Sequence, residues 1–243
     1  MNPIRPLSIK LITCNTKGCR SIYDVLIKTK QIPSSQAKWR RDLTTNIYFI
    51  YDIPFSCTKD PKLQWLQHRI NHRILGTNYL LVKMGIKNSE ICSFCNTEQE
   101  TIVHLFWNCT HVVAFINLVS TWLNTNFHDV NITLSKEDFM LGSKKCSCSL
   151  NTILLLSKQY IYSCKMNITL PNINVFKNIV KEHMNIEIYQ AKTSCTLVQF
   201  ERKWHQFGAA LEEEDTITPT FVFVCQNYDS ISIVPLHVYT YDL

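Results

Sequence analysis

The chain has 243 residues, of which 46% are hydrophobic and 18% charged, so it can form one or two folded domains and is not a disordered tail. Only five glycines argue against a β-sandwich or a glycine-rich α/β fold, and no apolar run approaches the roughly 18 residues of a membrane span. Residues 1–87 carry 15 basic and 4 acidic side chains, whereas residues 88–243 carry 10 and 15, so a basic half of charge +11 precedes an acidic half of charge −5.

The first 57 residues are predicted to form a basic helical segment. Arg5 and Lys10 interrupt the opening apolar residues, so no secretory signal is expected. The eleven cysteines form no regular disulfide framework, which favours a reducing intracellular compartment, nuclear or cytoplasmic. A short helix is predicted over residues 18–31, and a second begins at Ser34 or Ser35 and runs towards Pro54. The core-facing stripe of the second helix is Trp39, Leu43 and Ile47.

A second predicted segment, residues 58–125, opens with the clearest helix, over residues 60–76. Asp60 is a good N-cap, Pro61 fits the first helical position, and Gly76 fits the position after the end. One apolar stripe is expected to pack on the cysteine-rich segment at residues 92–109: Leu63, Leu66, Ile70 and Ile74.

The opposite face of that helix mixes an aromatic residue with basic ones. Trp65 lies there with Arg69 and two histidines, His68 and His72, an arrangement that can stack on a base and neutralise phosphates. The alternative is that Trp65 packs on a neighbouring helix and the charges are only solvated. The basic half of the chain favours RNA or DNA, held through non-specific backbone contacts, as the partner. The candidate contacts are Arg40, Arg41, Lys62, Trp65, Arg69, Arg73, Lys83 and Lys87.

The same segment contains the strongest motif of the chain, a C-x2-C-x8-H-x4-C pattern at Cys92, Cys95, His104 and Cys109. Three thiolates and one imidazole suit a tetrahedral Zn²⁺, and four protein ligands indicate a structural rather than a catalytic metal. Residues five apart diverge by roughly 140° on an α-helix, so the helix that carries His104 should end near residues 107–108. The alternative is a set of ordinary buried cysteines.

The remaining chain is predicted to be a helical region, residues 126–210, followed by a tail over residues 211–243. A short helix is expected over 135–141, a strongly apolar one over 150–166 with Lys158 and Lys165 on its solvent side, and one or two more over 172–207. The tail is acidic and then β-rich, and a hairpin, an edge strand and a poorly packed extension remain open. The predicted fold is therefore mainly α, a helical array around a small Cys-Cys-His-Cys zinc knuckle.

Four stretches of sequence resemble one family. GCRSIYDVL, KLQWLQHRINHRILGTNYLLVKMGI, ICSFCNTEQETIVHLFWNC and ILLLSKQYIYSCK are similar to the C-terminal region of LINE-type, non-LTR retrotransposon polyproteins, which carries the reverse-transcriptase zinc-binding module. The resemblance covers roughly residues 15–205. It implies a region that helps a polymerase hold its RNA template or DNA target, with the polymerase part of the parent element as a further partner.

The polymerase itself is not evident in this sequence. A polymerase needs clustered carboxylates for two metal ions, and the chain has no Asp-Asp pair. Glu201 and Lys203 form an E-x-K, but no Pro-Asp pair precedes it in the C-terminal half, so a nuclease is not expected. The prediction is a non-catalytic, zinc-binding, nucleic-acid-binding piece. A zinc-stabilised protein–protein interaction module and an inactive retrotransposon remnant are the alternatives.

Overall fold

The computed structural model describes residues 34–43, 53–126, 132–143, 145–205 and 207. These residues are mainly helical, as predicted, and their one bridged backbone pair is an isolated antiparallel bridge between Ile91 and Gln99. The helices in chain order are α1 (Ser34–Asp42), α2 (Ile53–Cys57), α3 (Pro61–His72), α4 (Asn78–Lys83), α5 (Thr110–Asn126), α6 (Lys136–Leu141), α7 (Cys148–Asn167), α8 (Ile173–Thr193) and α9 (Leu197–Trp204), with a π-helical turn at His104–Asn108 between α4 and α5.

Several predictions fall partly or wholly outside these residues. The helix over 18–31, the continuation of α1 beyond residue 43 and the β-rich tail over 211–243 lie outside the described residues. The four-segment division of the chain stays a prediction. None of the helices in the described part of the chain combines the length and the apolar character needed to cross a lipid bilayer.

Helix α7 is the centre of the fold. Its residues 150–158 are all buried, and it packs against α2, α3, α8 and α9. A helix that is buried on every side needs neighbours on every side, so the polar residues of this stretch, such as Asn151 and Lys158, form hydrogen bonds within the core. Ser147 caps its first turn, because the hydroxyl accepts a hydrogen bond from the amide of Leu150 at 3.2 Å.

A cluster of aromatic rings joins α5 to the C-terminal helices. Phe176 of α8 meets Phe115 edge-to-face at 5.4 Å and stacks on Tyr160 at 5.9 Å between ring centroids. Trp122 contacts Phe207 edge-to-face at 5.2 Å. Helix α5 buries five apolar residues at helical spacing: Val112, Phe115, Ile116, Val119 and Leu123. Aromatic pairs of this kind add about 0.5–1.5 kcal/mol each beyond burial of their area.

The prediction for residues 60–76 is right at the start of the helix and wrong at its end. Asp60 caps α3 by accepting the amide of Lys62 at 2.8 Å, but the helix ends at His72 instead of reaching Gly76. Arg73 adopts the left-handed conformation, with φ 56°, and turns the chain there. The guanidinium of Arg73 forms an ion pair with the Asp42 carboxylate, and its central carbon lies 3.9 Å from the Trp39 ring centroid. These contacts offset the cost of the left-handed backbone, which is about 1–2 kcal/mol.

The early end of α3 changes which side chains are buried. Leu63, Leu66 and Ile70 are buried as predicted, whereas Ile74 is 56% exposed and Leu75 takes a place in the core. Ile74 lies beyond the left-handed residue, so the helical spacing that predicted its burial no longer applies. Helix α3 packs on α1, α2, α6 and α7. The packing of its buried stripe on the metal-binding unit stays a prediction.

The prediction that Lys158 and Lys165 lie on the solvent side of α7 is wrong. Their exposed fractions are 1% and 4%. Lys158 donates to the Gln67 side chain and to the Met140 carbonyl, the latter at 3.4 Å. Lys165 binds Glu100. The polar partners come from elements distant in sequence, so the pattern of α7 alone could not indicate them.

Candidate metal centre

The first two candidate ligands lie on a tight knuckle. The amide of Asn96 donates to the Cys92 carbonyl at 3.0 Å, and Asn96 adopts a left-handed conformation with φ 54°. Asparagine tolerates this conformation better than most residues. The Cys92 amide donates to the Glu98 carbonyl at 2.8 Å, which closes the loop beside the Ile91–Gln99 bridge. The two-residue gap thus turns both sulfurs to one side, as the spacing predicts.

The last two ligands are brought together by the π-helical turn. The amide of Cys109 donates to the His104 carbonyl at 2.9 Å, which is the i→i+5 bond of a π-helix. Cys109 then leaves the helix in an extended conformation, with ψ 129°. The predicted helix end near residues 107–108 is confirmed. The wider turn itself was not predicted, and it explains how residues five apart approach one another.

The four ligand atoms lie close enough together to surround one metal ion. All four lie within 4.8 Å of one another. Cys92 Sγ and Cys109 Sγ are 3.9 Å apart, and Cys95 Sγ is 3.4 Å from His104 Nε2. In a tetrahedron with Zn–S bonds of about 2.3 Å and a Zn–N bond of about 2.0–2.1 Å, two sulfurs are about 3.8 Å apart and a sulfur and a nitrogen about 3.5 Å. The residues therefore fit this metal.

Glu98 orients the histidine and was not identified from the sequence. The second ring nitrogen of His104, Nδ1, lies 3.0 Å from the Glu98 carboxylate. A carboxylate that accepts from Nδ1 leaves Nε2, the atom facing Cys95, as a metal ligand. Glu98 lies six residues before His104, inside the eight-residue gap. The one sequence signal for its role is that it is an acidic residue close to a ligand histidine.

The three thiols differ in how readily they ionise. Burial raises the pKa of the Cys92 thiol to about 12 and also raises that of Cys109. At Cys95 burial acts in the same direction, but hydrogen bonds from the Thr97 hydroxyl, from nearby amides and from His104 outweigh it and lower the pKa to about 6. A bound metal ion deprotonates coordinating thiols outright, so a cation at this point would stabilise all three cysteines as thiolates.

Glu100 ties the knuckle to the rest of the protein. Its side chain is completely buried and accepts from the Ser93 amide of the knuckle at 3.0 Å and from the Asn78 amide of α4 at 2.8 Å. The ammonium of Lys165 lies 3.0 Å away. Backbone and side-chain donors thus surround the carboxylate, which fixes the metal-binding segment against α4 and α7.

Six of the eight candidate nucleic-acid contacts fall into two groups. Lys62, Trp65 and Arg69 lie on the outer face of α3, where Trp65 is 60% exposed and its ring meets His68 edge-to-face at 5.4 Å. Trp65 therefore does not pack on a neighbouring helix in the described part of the chain. His68 and His72 lie beside each other, with ring centroids 4.4 Å apart. Burial, with the neighbouring His68, lowers the pKa of His72.

The second group surrounds a recess between α1, α4 and the metal-binding segment. Arg41, Arg73 and Lys83 line it, whereas Arg40 and Lys87 are exposed elsewhere. Lys87 donates to the Asn78 side chain at 2.9 Å. Two further basic residues at this recess, Lys38 and Lys136, were not among the predicted contacts. Lys136 lies almost a hundred positions from α1, so nothing in the sequence indicated their proximity.

Comparison with known families supports the metal site. Residues 19–115 match the sequence profile of a family described as zinc-binding in reverse transcriptase. The match covers less than half of the chain and includes all four candidate ligands. Searches of curated proteins and of solved structures found no match.

Proposed function

We propose that this protein binds one structural Zn²⁺ through Cys92, Cys95, His104 and Cys109 and that the module so formed binds nucleic acid. The convergence of three sulfurs and one imidazole nitrogen within 4.8 Å is the observation that carries the proposal. The ion would supply a cross-link between the knuckle and the π-helical turn. All four ligands come from the protein, which leaves no open coordination position for catalysis.

The nucleic-acid role is supported by charge and exposure. The basic residues of the first 87 positions include exposed side chains on α1, α3 and α4, and Trp65 is exposed among those of α3. Cations on a surface release counterions when they bind phosphates, which gives sequence-independent affinity. We propose that the chain acts as a template- or target-holding region of a LINE-type retrotransposon reverse transcriptase.

We further propose that the chain has no catalytic activity of its own. The partners of Lys203, the lysine of the E-x-K at residues 201–203, support this proposal. Lys203 binds both carboxylate oxygens of Glu187, at 2.8 and 2.9 Å, and donates to the Cys57 carbonyl at 2.6 Å. Template-directed nucleotide incorporation by the purified protein, absent from a Cys95→Ser control, would contradict this.

Elemental analysis of the purified protein tests the metal. We expect one zinc ion per chain, near-complete loss in Cys95→Ser, and retention in Cys195→Ser, since Cys195 is an exposed cysteine at the end of α8. Structural zinc contributes roughly 10–16 kcal/mol of apparent folding free energy in finger peptides, so the Cys95→Ser variant should also melt at a lower temperature. A well-folded wild type with little zinc would refute the metal site.

Fluorescence anisotropy with labelled single strands tests the nucleic-acid role separately. Affinity should fall with salt, with a log–log slope of about −0.7 for each phosphate contact. Full zinc content without binding at low salt would leave a metal-stabilised module with a different partner.

A protein–protein role is the second candidate. Three apolar side chains are exposed where α7 ends: Met166, Ile168 and Leu170. Ile168 also has a left-handed conformation, with φ 55°, which is unusual for a β-branched residue. A polymerase fragment of the parent element is the partner to test. Loss of its binding in Ile168→Ser, with nucleic-acid binding unchanged, would favour this function.

A further inference from the structure

A basic recess lies beside the metal centre. It has a volume of about 820 Å³, and its walls are α1, the end of α3, α4, the segment around His104 and the start of α6. Among the described residues, the only carboxylate that lines the recess is that of Asp42. Five basic side chains from four helices or their ends line it as well: Lys38, Arg41, Arg73, Lys83 and Lys136. Cations gathered from separate parts of the sequence into one concave surface concentrate positive potential there.

The cations of the recess differ in availability. Arg73 is held by Asp42 and by the Trp39 ring, and Lys83 donates to the Tyr79 hydroxyl. Within the described residues, neither Lys38 nor Arg41 makes an ion pair or a side-chain hydrogen bond, and both are exposed. The Asp42 carboxylate is already paired with Arg73, so it does little to neutralise the other cations.

We infer that this recess binds the phosphate backbone of single-stranded nucleic acid, and that Lys38 and Arg41 are its main phosphate contacts. This inference rests on the proposed nucleic-acid function and places it in the recess rather than on the Trp65 face of α3.

The size and lining of the recess favour a single strand. Its volume lies in the range of roughly 300–1,000 Å³ typical of small-ligand pockets, which suits a few nucleotides of a single strand and is too small to enclose a duplex. Lys83 covers the Tyr79 ring, with its nitrogen 4.1 Å from the ring centroid. The recess therefore offers charges rather than an open aromatic face, and binding there should not depend on base sequence.

The recess shares a wall with the metal centre. Thr101, Ile102, Val103 and Asn108 line it and flank His104. Metal loss should therefore loosen one wall and weaken single-strand binding, even though the metal does not contact the strand.

Two matched double variants test the inference, each replacing one lysine and one arginine. Lys38→Ala/Arg41→Ala removes charge from the recess, and Lys62→Ala/Arg69→Ala removes the same charge from the outer face of α3. Anisotropy titrations at two salt concentrations would use one labelled sequence as single-stranded RNA, single-stranded DNA and duplex DNA. We expect the recess variant to flatten the single-strand slope by about 0.7 per lost contact, and the α3 variant to leave it nearly unchanged.

A charge-preserving variant, Lys38→Arg/Arg41→Lys, controls for folding and should keep the wild-type slope. Equal slopes for wild type and the recess variant, or a larger loss in the α3 variant, would overturn the inference and leave the proposed function in place. Tighter duplex than single-strand binding would overturn the choice of ligand. No binding by the wild type at low salt would reject both the inference and the nucleic-acid function. The RNA and DNA arms show which single strand is preferred.

Discussion

The ammonium nitrogen of Lys165 lies 3.0 Å from the carboxylate of Glu100, and both side chains are almost entirely buried. Lys165 also donates to the Gly76 carbonyl at 2.5 Å. The pair joins the central helix α7 to the gap between the second and third candidate metal ligands. Folding of the helical core and formation of the metal centre are therefore coupled through one buried ion pair.

Breaking this pair on one side should be costly. Lys165→Met leaves the Glu100 carboxylate buried without its cation, and removal of one partner of a buried pair costs about 3–5 kcal/mol. Glu100→Gln/Lys165→Met removes both charges and should recover much of that loss. Urea unfolding of the wild type, both single variants and the double variant measures the coupling. If the two single substitutions change the free energy of unfolding additively, the coupling between Glu100 and Lys165 is contradicted.

Glu98 should tune metal affinity without being a ligand. Glu98→Ala removes the carboxylate that lies 3.0 Å from His104 Nδ1, and such outer contacts typically change metal affinity about 10–100-fold. Competition with a chromophoric chelator measures the change. Gln99→Ala is the control, because its exposed side chain neighbours Glu98 along the chain. Equal affinities for the two variants would rule out a role of Glu98 at the site.

Lys158 should make stability depend on pH. Burial lowers the pKa of its ammonium from 10.5 to about 7, so between these values the unfolded chain binds more protons than the folded one. The free energy of unfolding should therefore rise with pH through this window, by up to about 1.4 kcal/mol per pH unit.

The Lys158 contribution is obtained as a difference between variants. Lys158→Met should remove this slope from the pH profile of urea unfolding, whereas Lys145→Met, at an exposed position, should keep it. The titrating cysteines affect both variants equally and cancel. A Lys158→Met profile parallel to that of the wild type would show that the amine stays charged when buried.

Two isoleucines of the same helical register should respond differently to truncation. Ile70→Ala removes a completely buried side chain and should cost about 2–5 kcal/mol. Ile74→Ala, beyond the left-handed Arg73, should stay within about 0.5 kcal/mol of the wild type. Thermal or urea unfolding measures both. Similar losses would mean that α3 continues past Arg73.

Local signals predicted the helices and the metal ligands. The Asp60 cap, the burial of Leu63, Leu66 and Ile70, and the C-x2-C-x8-H-x4-C spacing each depend on residues close in sequence, so periodicity and spacing were enough to find them. The end of α3 was misplaced because Trp39 and Asp42 of α1 stabilise Arg73 in a conformation that glycine usually supplies. Tertiary contacts there overrode the local preference.

The burial of charged side chains could not be predicted from the sequence. Lys158 and Lys165 were predicted to lie on the solvent side of their helix because an isolated buried ammonium group is very unfavourable. Their partners, Gln67 and Glu100, lie 91 and 65 positions away, and only the folded chain brings them together. Lys38 and Lys136 meet at the basic recess for the same reason.

The π-helical turn at His104–Asn108 restricts how the chain length can vary. On an α-helix, residues four apart differ by about 40° in direction, whereas residues five apart differ by about 140°. Deleting one residue between His104 and Cys109 would therefore convert the wide turn into an ordinary α-turn and keep the sulfur on the face of the histidine. Inserting one residue would carry the sulfur past that face and separate the two ligands. This turn should therefore tolerate the loss of one residue but not the gain of one.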